Sequence, residues 1–324
     1  MKLCIRAHDL GVSGSEQILG ELNRLGLDGV QLVCYKAYPD IPQQPGAITP
    51  QRAEEIGRDF AAAGKSIPLV GAYFNPIHAD RKKAEQGIAI FSDYLRVCKA
   101  MGCDVVASET GSRNNDEWTY HPGNRTEEAL QGVVRAFSRL CDVASDYGSV
   151  VAMEGCAAHV CWSPDTLARA RSLIGRRTKV VFDLYNYLDA DNQGSYLNLL
   201  DRGLELFAGD IQVFHMKDCC LCNGQKPIQT PFGKGELDLP AILGRIRRYD
   251  TEELRRHYHI SNLFEKDSIN LTYSHQDRII AGGIMPVEES LVLESCKELA
   301  EGRRPGRRGN RGHRYTGKQA GLNP

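Results

Sequence analysis

Three ionisable side chains stand at the ends of apolar runs: Glu154 after Val150-Val151-Ala152-Met153, Asp183 after Lys179-Val180-Val181-Phe182, and His215 after Gln212-Val213-Phe214. A short apolar run ending in one ionisable group is the pattern of a buried parallel strand that delivers a side chain to the rim of a sheet. Leaving such a group buried and unpaired is costly. Taken singly, Glu154 fits a structural salt bridge, Asp183 a helix cap and His215 a satisfied core histidine. Their recurrence at successive strand ends favours one shared site. Two carboxylates and an imidazole together suit a single divalent cation: manganese, magnesium, cobalt or zinc.

The elements that must position them alternate along the chain. Strand-like runs lie near Leu3–Ala7, Gly29–Cys34, Ile67–Phe74, Asp104–Ser108, Val150–Glu154, Lys179–Asp183, Ile211–His215 and His259–Glu265. Helix-like stretches lie between and after them, near Ser15–Leu25, Pro50–Ala63, Arg81–Met101, Thr126–Tyr147, Pro164–Ile174, Ser195–Phe207, Leu239–Arg248 and Pro286–Glu301. Several begin at Ser, Thr or Pro and several stop at Gly, as at Leu25-Gly26 and Met101-Gly102, which are the residues that start and end helices. Eight βα units in alternation predict a (β/α)8 TIM barrel. A doubly wound open sheet is the competing architecture, but no GxGxxG follows the first strand and no GxxxxGK[ST] loop is present. In a barrel, chemistry gathers at the carboxyl ends of the strands, where Asn75, Glu109, Glu154, Asp183, His215 and Glu265 would stand.

Composition bounds the rest. A chain of 324 residues without a Gly/Ser/Pro-rich divider in its middle reads as one domain over residues 1–301. Its 42% hydrophobic and 25% charged residues are those of a soluble protein, and no apolar run approaches the roughly 20 residues of a membrane helix. Met1-Lys2-Leu3-Cys4-Ile5-Arg6 enters a strand directly and lacks the features of a signal peptide, so a cytoplasmic location is expected. The eleven cysteines are odd in number and scattered through apolar segments, which predicts reduced, buried thiols. Cys219, Cys220 and Cys222 form the one dense cluster and lack a second CxxC pair for a zinc ribbon. Residues 302–324 carry seven Arg and Lys and no acid; removing them from the overall charge of −1 leaves residues 1–301 at −8. That Gly/Arg-rich tail cannot bury a core and is expected to be disordered.

These residues resemble the xylose isomerase-like TIM-barrel superfamily, which contains sugar (phosphate) isomerases and epimerases, inosose dehydratase and the endonuclease IV type of apurinic nuclease. The resemblance runs from about Met1 to Leu239 and is carried by Met153-Glu154-Gly155, Phe182-Asp183-Leu184-Tyr185-Asn186, His215-Met216-Lys217-Asp218 and Gly233-Lys234-Gly235-Glu236-Leu237-Asp238. It implies that the Glu after strand five, the Asp after strand six, the His after strand seven and a Glu after strand eight bind one divalent metal. The first three map onto Glu154, Asp183 and His215. The fourth position departs from the pattern, because the polar stretch Tyr249–Arg256 intervenes, and Glu265 is the expected ligand there.

The expected reaction is isomerisation or epimerisation of a small sugar or polyol-ketone through a metal-stabilised enediolate. Glu154 and Glu265 would carry the proton, and Asp183 and His215 would mainly hold the metal. His159, which looks like the family's histidine before the fifth helix, together with Asn186, Lys217, Asp218, Asn75, His78 and Glu109, is expected to contact substrate, and Trp118 and Tyr120 to cover a sugar face or pack locally. A lyase of the inosose dehydratase kind and a barrel that binds a ligand without turning it over remain the alternatives. The nuclease branch carries a His three residues beyond the strand-six Asp where this chain has Asn186, and the acidic composition of residues 1–301 opposes a phosphate-backbone partner. Dimers or tetramers are implied only by the resemblance.

Overall fold

The computed structural model describes residues 2–207, 209–230, 232–248 and 268–271. Seven strands follow one another around a barrel: β1 (Lys2–Arg6), β2 (Gly29–Leu32), β3 (Ser66–Gly71), β4 (Val105–Glu109), β5 (Val150–Glu154), β6 (Thr178–Asp183) and β7 (Ile211–Met216). After β7 come two short strands, β8 (Asp218–Cys220) and β9 (Ile228–Thr230), which form a separate antiparallel hairpin. The last strand, β10 (Ser268–Leu271), pairs in parallel with both β7 and β1 and closes the ring in the order β1-β10-β7-β6-β5-β4-β3-β2. The eighth barrel strand therefore starts three residues after the expected His259–Glu265 segment ends. The helix expected at Pro286–Glu301, the tail 302–324 and Glu265 lie outside the described residues.

The helices are α1 (Ser15–Leu25), α2 (Cys34–Ala37), α3 (Pro50–Ala62), α4 (Arg81–Val97), α5 (Glu127–Tyr147), α6 (Pro164–Leu173), α7 (Tyr196–Phe207) and α8 (Leu239–Arg248). Their starts follow the chemistry of helix capping: Thr49 accepts from the Arg52 N–H, Asp80 from Lys82, Thr126 from Ala129 and Ser163 from Thr166. Two layers of core result. Leu69, Val105, Ala107, Ala152, Val181 and Val213 fill the barrel interior, while the larger cluster lies between strands and helices. The two faces of each strand are thus both apolar, and a polar side chain near a strand end must find partners at the barrel mouth.

One irregularity bears on the site. Between β2 and β3 the register shifts across Gly29/Gln31, so that Gly29 faces Ser66 but Gln31 faces Leu69. Pro68 lies in the extra length of β3, and proline, having no N–H, is tolerated where a ladder is interrupted. Gly29 has no substitute there, because a Cβ would strike the Ser66 carbonyl. Immediately beyond this bulge, Gln31 is fully buried.

Candidate metal centre

Glu154 and Asp183 end β5 and β6, His215 is the penultimate residue of β7, and their ligand atoms all lie within 4.8 Å of one another. Backbone register enforces this: Asp183 is the direct cross-strand partner of His215. All three are buried. His215 Nδ1 is 3.0 Å from Glu154 Oε1 and 3.6 Å from Asp183 Oδ2. Its Nε2 meets Gln31 Oε1 at 2.8 Å, and the Gln31 amide donates onward to the Tyr73 hydroxyl at 2.6 Å. A ring held at both nitrogens has one orientation. Gln31 belongs to none of the motifs that predict the site; its one signal in the sequence is a lone amide within the otherwise apolar Gly29-Val30-Gln31-Leu32.

Lys217 and Asn186 complete the cluster. The Lys217 ammonium lies 2.7 Å from Asp183 Oδ2 and donates to Asn186 Oδ1 at 2.8 Å, and Asn186 Nδ2 donates to Glu154 Oε1 at 2.8 Å. Two buried carboxylates need positive charge, and here imidazole and ammonium provide it. Burial works against the imidazolium of His215, yet Glu154 and Asp183 outweigh it and raise its pKa to about 9. Burial likewise works against ionising Asp183, but Lys217 and His215 outweigh it and hold the carboxyl at about 2.

A divalent cation fits this donor set. Asp183 Oδ2 is buried and, apart from the ion pairs with Lys217 and His215, receives no directed hydrogen bond. Glu154 Oε1 takes bonds from Asn186 and His215, while no hydrogen bond involving Oε2 is found among the described residues. Two oxygens and one imidazole nitrogen of this kind are hard-to-intermediate ligands. No other group of three such side chains occurs among the described residues.

The cluster opens into a cavity of about 430 Å³ at the barrel mouth, lined by Arg6, His8, Tyr35, Lys36, Gln43, Tyr73, Glu109, Trp118, Glu154, Asn186, His215 and Lys217. Glu109 is the cross-strand partner of Glu154. Burial first, and then the Glu154 charge, push its carboxyl up to about 8. His159 stands behind it, Nδ1 at 3.8 Å from Glu109 Oε2 and Nε2 at 3.0 Å from the Trp118 carbonyl. Burial lowers the His159 pKa to about 4, so it is neutral at physiological pH.

Of the expected substrate contacts, Asn186, Lys217 and Glu109 line this cavity and His159 supports its wall. Three others are placed elsewhere. Asn75 is buried in a loop, donating to the Ser112 and Asn115 carbonyls and accepting from the Ile77 N–H. His78 pairs with Asp116 at 3.3 Å and lines a separate groove between α4 and α5. Asp218 accepts backbone N–H bonds from Cys219, Gly233, Gly235 and Leu237, tying the hairpin to the loop before α8. A Cβ at Gly235 would run into that carboxylate, which explains the glycine in Gly233-Lys234-Gly235. Asp218→Ala is accordingly expected to destabilise the fold by about 1–3 kcal/mol, the cost of orphaned donors, and to expose the 221–235 loop to protease. A variant with unchanged urea midpoint would mean that the carboxylate's role lies in ligand contact instead.

Tyr120 is 56% exposed and is not among the residues lining the cavity, and Arg125 stacks beside it and on Trp162. The ten cysteines among the described residues are free thiols, eight of them buried; Cys220 and Cys222 sit half-exposed at the hairpin.

A sequence profile described as "xylose isomerase-like TIM barrel" matches residues 19–254. The chain belongs to that family. Solved structures of similar fold include the IolI protein with a bound zinc atom (TM-score 0.64, 16% identity, covering 93% of this chain and 96% of that one). D-psicose 3-epimerase in the presence of D-fructose superposes with a TM-score of 0.66 at 12% identity, over 94% of this chain and all of the other. These likenesses establish the xylose isomerase-like fold. A curated relative, 4-deoxy-L-threo-5-hexosulose-uronate ketol-isomerase of Bacillus pumilus, is 49% identical over 51 residues, 16% of this chain. The chain spans less than a fifth (18%) of that relative's length. Among the described residues no helix is long and apolar enough to cross a membrane.

Proposed function

We propose that the protein is a divalent-metal-dependent isomerase or epimerase of a small sugar or polyol-ketone. The observation that supports this reading best is the convergence of Glu154, Asp183 and His215 within 4.8 Å at the floor of the cavity. The ion they would hold draws electron density from the oxygens of a hydroxy-ketone and acidifies the adjacent C–H. Asp183 and His215 serve as ligands, and Gln31 fixes the imidazole so that Nδ1 faces the carboxylates. Glu154 both binds and, through Oε2, takes the proton from carbon. Lys217 and Asn186 keep Glu154 and Asp183 in place and offer donors to substrate oxygens, and Trp118 and Tyr73 wall the cavity against bulk water.

Glu265 is the residue expected from the sequence as fourth ligand and second proton carrier. It lies outside the described residues, and its part as fourth ligand and as the group that returns the proton belongs to this proposal. The test is metal analysis of the purified protein, followed by a panel of ketoses and inososes in heavy water. Stoichiometric metal and deuterium incorporation at the carbon beside the carbonyl are expected. Net dehydration would instead place the protein with the lyases, and a metal-loaded protein that exchanges no proton on any member of the panel would reduce it to a ligand-binding barrel.

A further inference from the structure

The cavity is electrically lopsided. In the ring of eight strands β1 stands diametrically across from β5, and β2 across from β6. Arg6, the last residue of β1, therefore faces the Glu154 side, and Lys36, on α2 just after β2, faces the Asp183 side. Both line the cavity, as does His8 beside them.

Asp9 pairs with Arg6, and Lys36 feels Asp9 and Glu109 only at longer range. Arg6 donates through Nε and Nη2 to the two oxygens of Asp9, at 2.7 and 3.2 Å, which leaves Nη1 without an acceptor among the described residues. Lys36 has no hydrogen bond or ion pair there at all; its ammonium lies only over the Tyr35 ring, 5.9 Å from the centroid. Burial and then the neighbouring Arg6 lower the Lys36 pKa, the electrostatic mark of positive charge held without full compensation. His8 adds a buried Nδ1 with no partner; burial, followed by Arg6 and Lys36, keeps its imidazole neutral, at about 3. This concentration of unused donors stands against an acidic background, since residues 1–301 carry a net −8 once the seven tail charges are set aside. Positive charge in excess at a cavity wall, here one paired guanidinium with a spare Nη1 and one ammonium without an ion pair among the described residues, is how proteins receive carboxylate and phosphate, with Arg supplying directed donors and Lys a point charge.

We propose that Arg6 and Lys36 form an anion subsite: the substrate is an acidic sugar whose carboxylate or phosphate lies against these two residues while its hydroxy-ketone end reaches Glu154 and His215. The orientation of the substrate rests on the proposed function; the anion binding does not.

The experiment is calorimetric titration of the full chain, as purified with its metal content measured and again after chelation, with D-glucuronate, D-fructose 6-phosphate and D-fructose. At least one acidic probe is expected to bind about tenfold or more tightly than fructose, the size of effect that a charge-assisted contact gives. Lys36→Gln should erase about tenfold of that preference and Lys36→Arg should restore most of it, both with unchanged fructose affinity and metal content. Tighter glucuronate assigns the subsite to a carboxylate; tighter fructose 6-phosphate assigns it to a phosphate. Equal affinity for all three probes, binding of none, or a preference untouched in Lys36→Gln would overturn the inference. If the acid preference holds in a protein that takes up no metal, the isomerase reading fails and the subsite stands; if metal is taken up without acid preference, the subsite fails and the isomerase reading stands.

Discussion

Glu154→Gln is expected to slow exchange of the substrate C–H proton by about 10²–10⁴, the usual contribution of a positioned acid–base group, while leaving the fold intact. The amide oxygen can take the place of Oε1 and still accept from Asn186 Nδ2 and His215 Nδ1, the two bonds this carboxylate makes. What the substitution removes is Oε2, the oxygen with no hydrogen bond among the described residues, and with it the only atom of the residue able to receive a proton from carbon. An NH2 group there donates and cannot act as a base. The measurement is deuterium wash-in on whichever ketose the panel selects, with a urea melt alongside. A variant that exchanges at the wild-type rate would remove Glu154 from the proton path, and one that fails to melt cooperatively would show that the negative charge of Glu154 is required for folding.

The part of this site legible in the sequence is the part written as apolar run plus single ionisable end. The strand predicted at Val150–Glu154 has its observed bounds, and the predictions for β6 and β7 fall within a residue of theirs at either end, because strands buried on both faces leave no room for ambiguity of period. Glu154, Asp183 and His215 follow directly. Gln31 does not, since an uncharged amide inside a strand gives no hint of whether it faces helix or barrel axis. Asn75, His78 and Asp218 are not among the residues lining the cavity, for another reason. They sit in loops, where a polar side chain can equally close a turn, and the backbone donors around Asp218 and the carbonyls around Asn75 claim them first. The closing strand lies beyond its expected place because Ile260, Leu263 and Phe264 make a more apolar segment than Ser268-Ile269-Asn270-Leu271, whose short alternation of polar and apolar residues is a weaker strand signal.

Asp183→Asn should produce the largest loss of stability of any conservative change at the site. Asp183 is fully buried and Lys217 keeps only 11% of its side chain exposed; removing one charge of a buried pair leaves the other uncompensated, at about 3–5 kcal/mol. Asparagine preserves the shape and the bond from the Asn186 N–H to Oδ1, so the penalty is electrostatic and not a cavity effect. It follows that Asp183→Asn/Lys217→Met, which deletes both charges, should recover most of the lost stability, a coupling that a double-mutant cycle by urea unfolding of metal-free protein would measure directly. Metal adds an independent reading. A ligand bound only by the folded state stabilises it by about 2.7 kcal/mol at a hundred times its dissociation constant, so manganese or zinc should raise the melting temperature of the wild-type chain and leave that of Asp183→Asn almost unmoved. The two results separate the roles of this one carboxylate. Loss of stability without loss of the metal response would make Asp183 a counter-ion to Lys217 alone, and loss of the metal response with an unchanged metal-free melt would mean that the ammonium finds its compensation from Glu154.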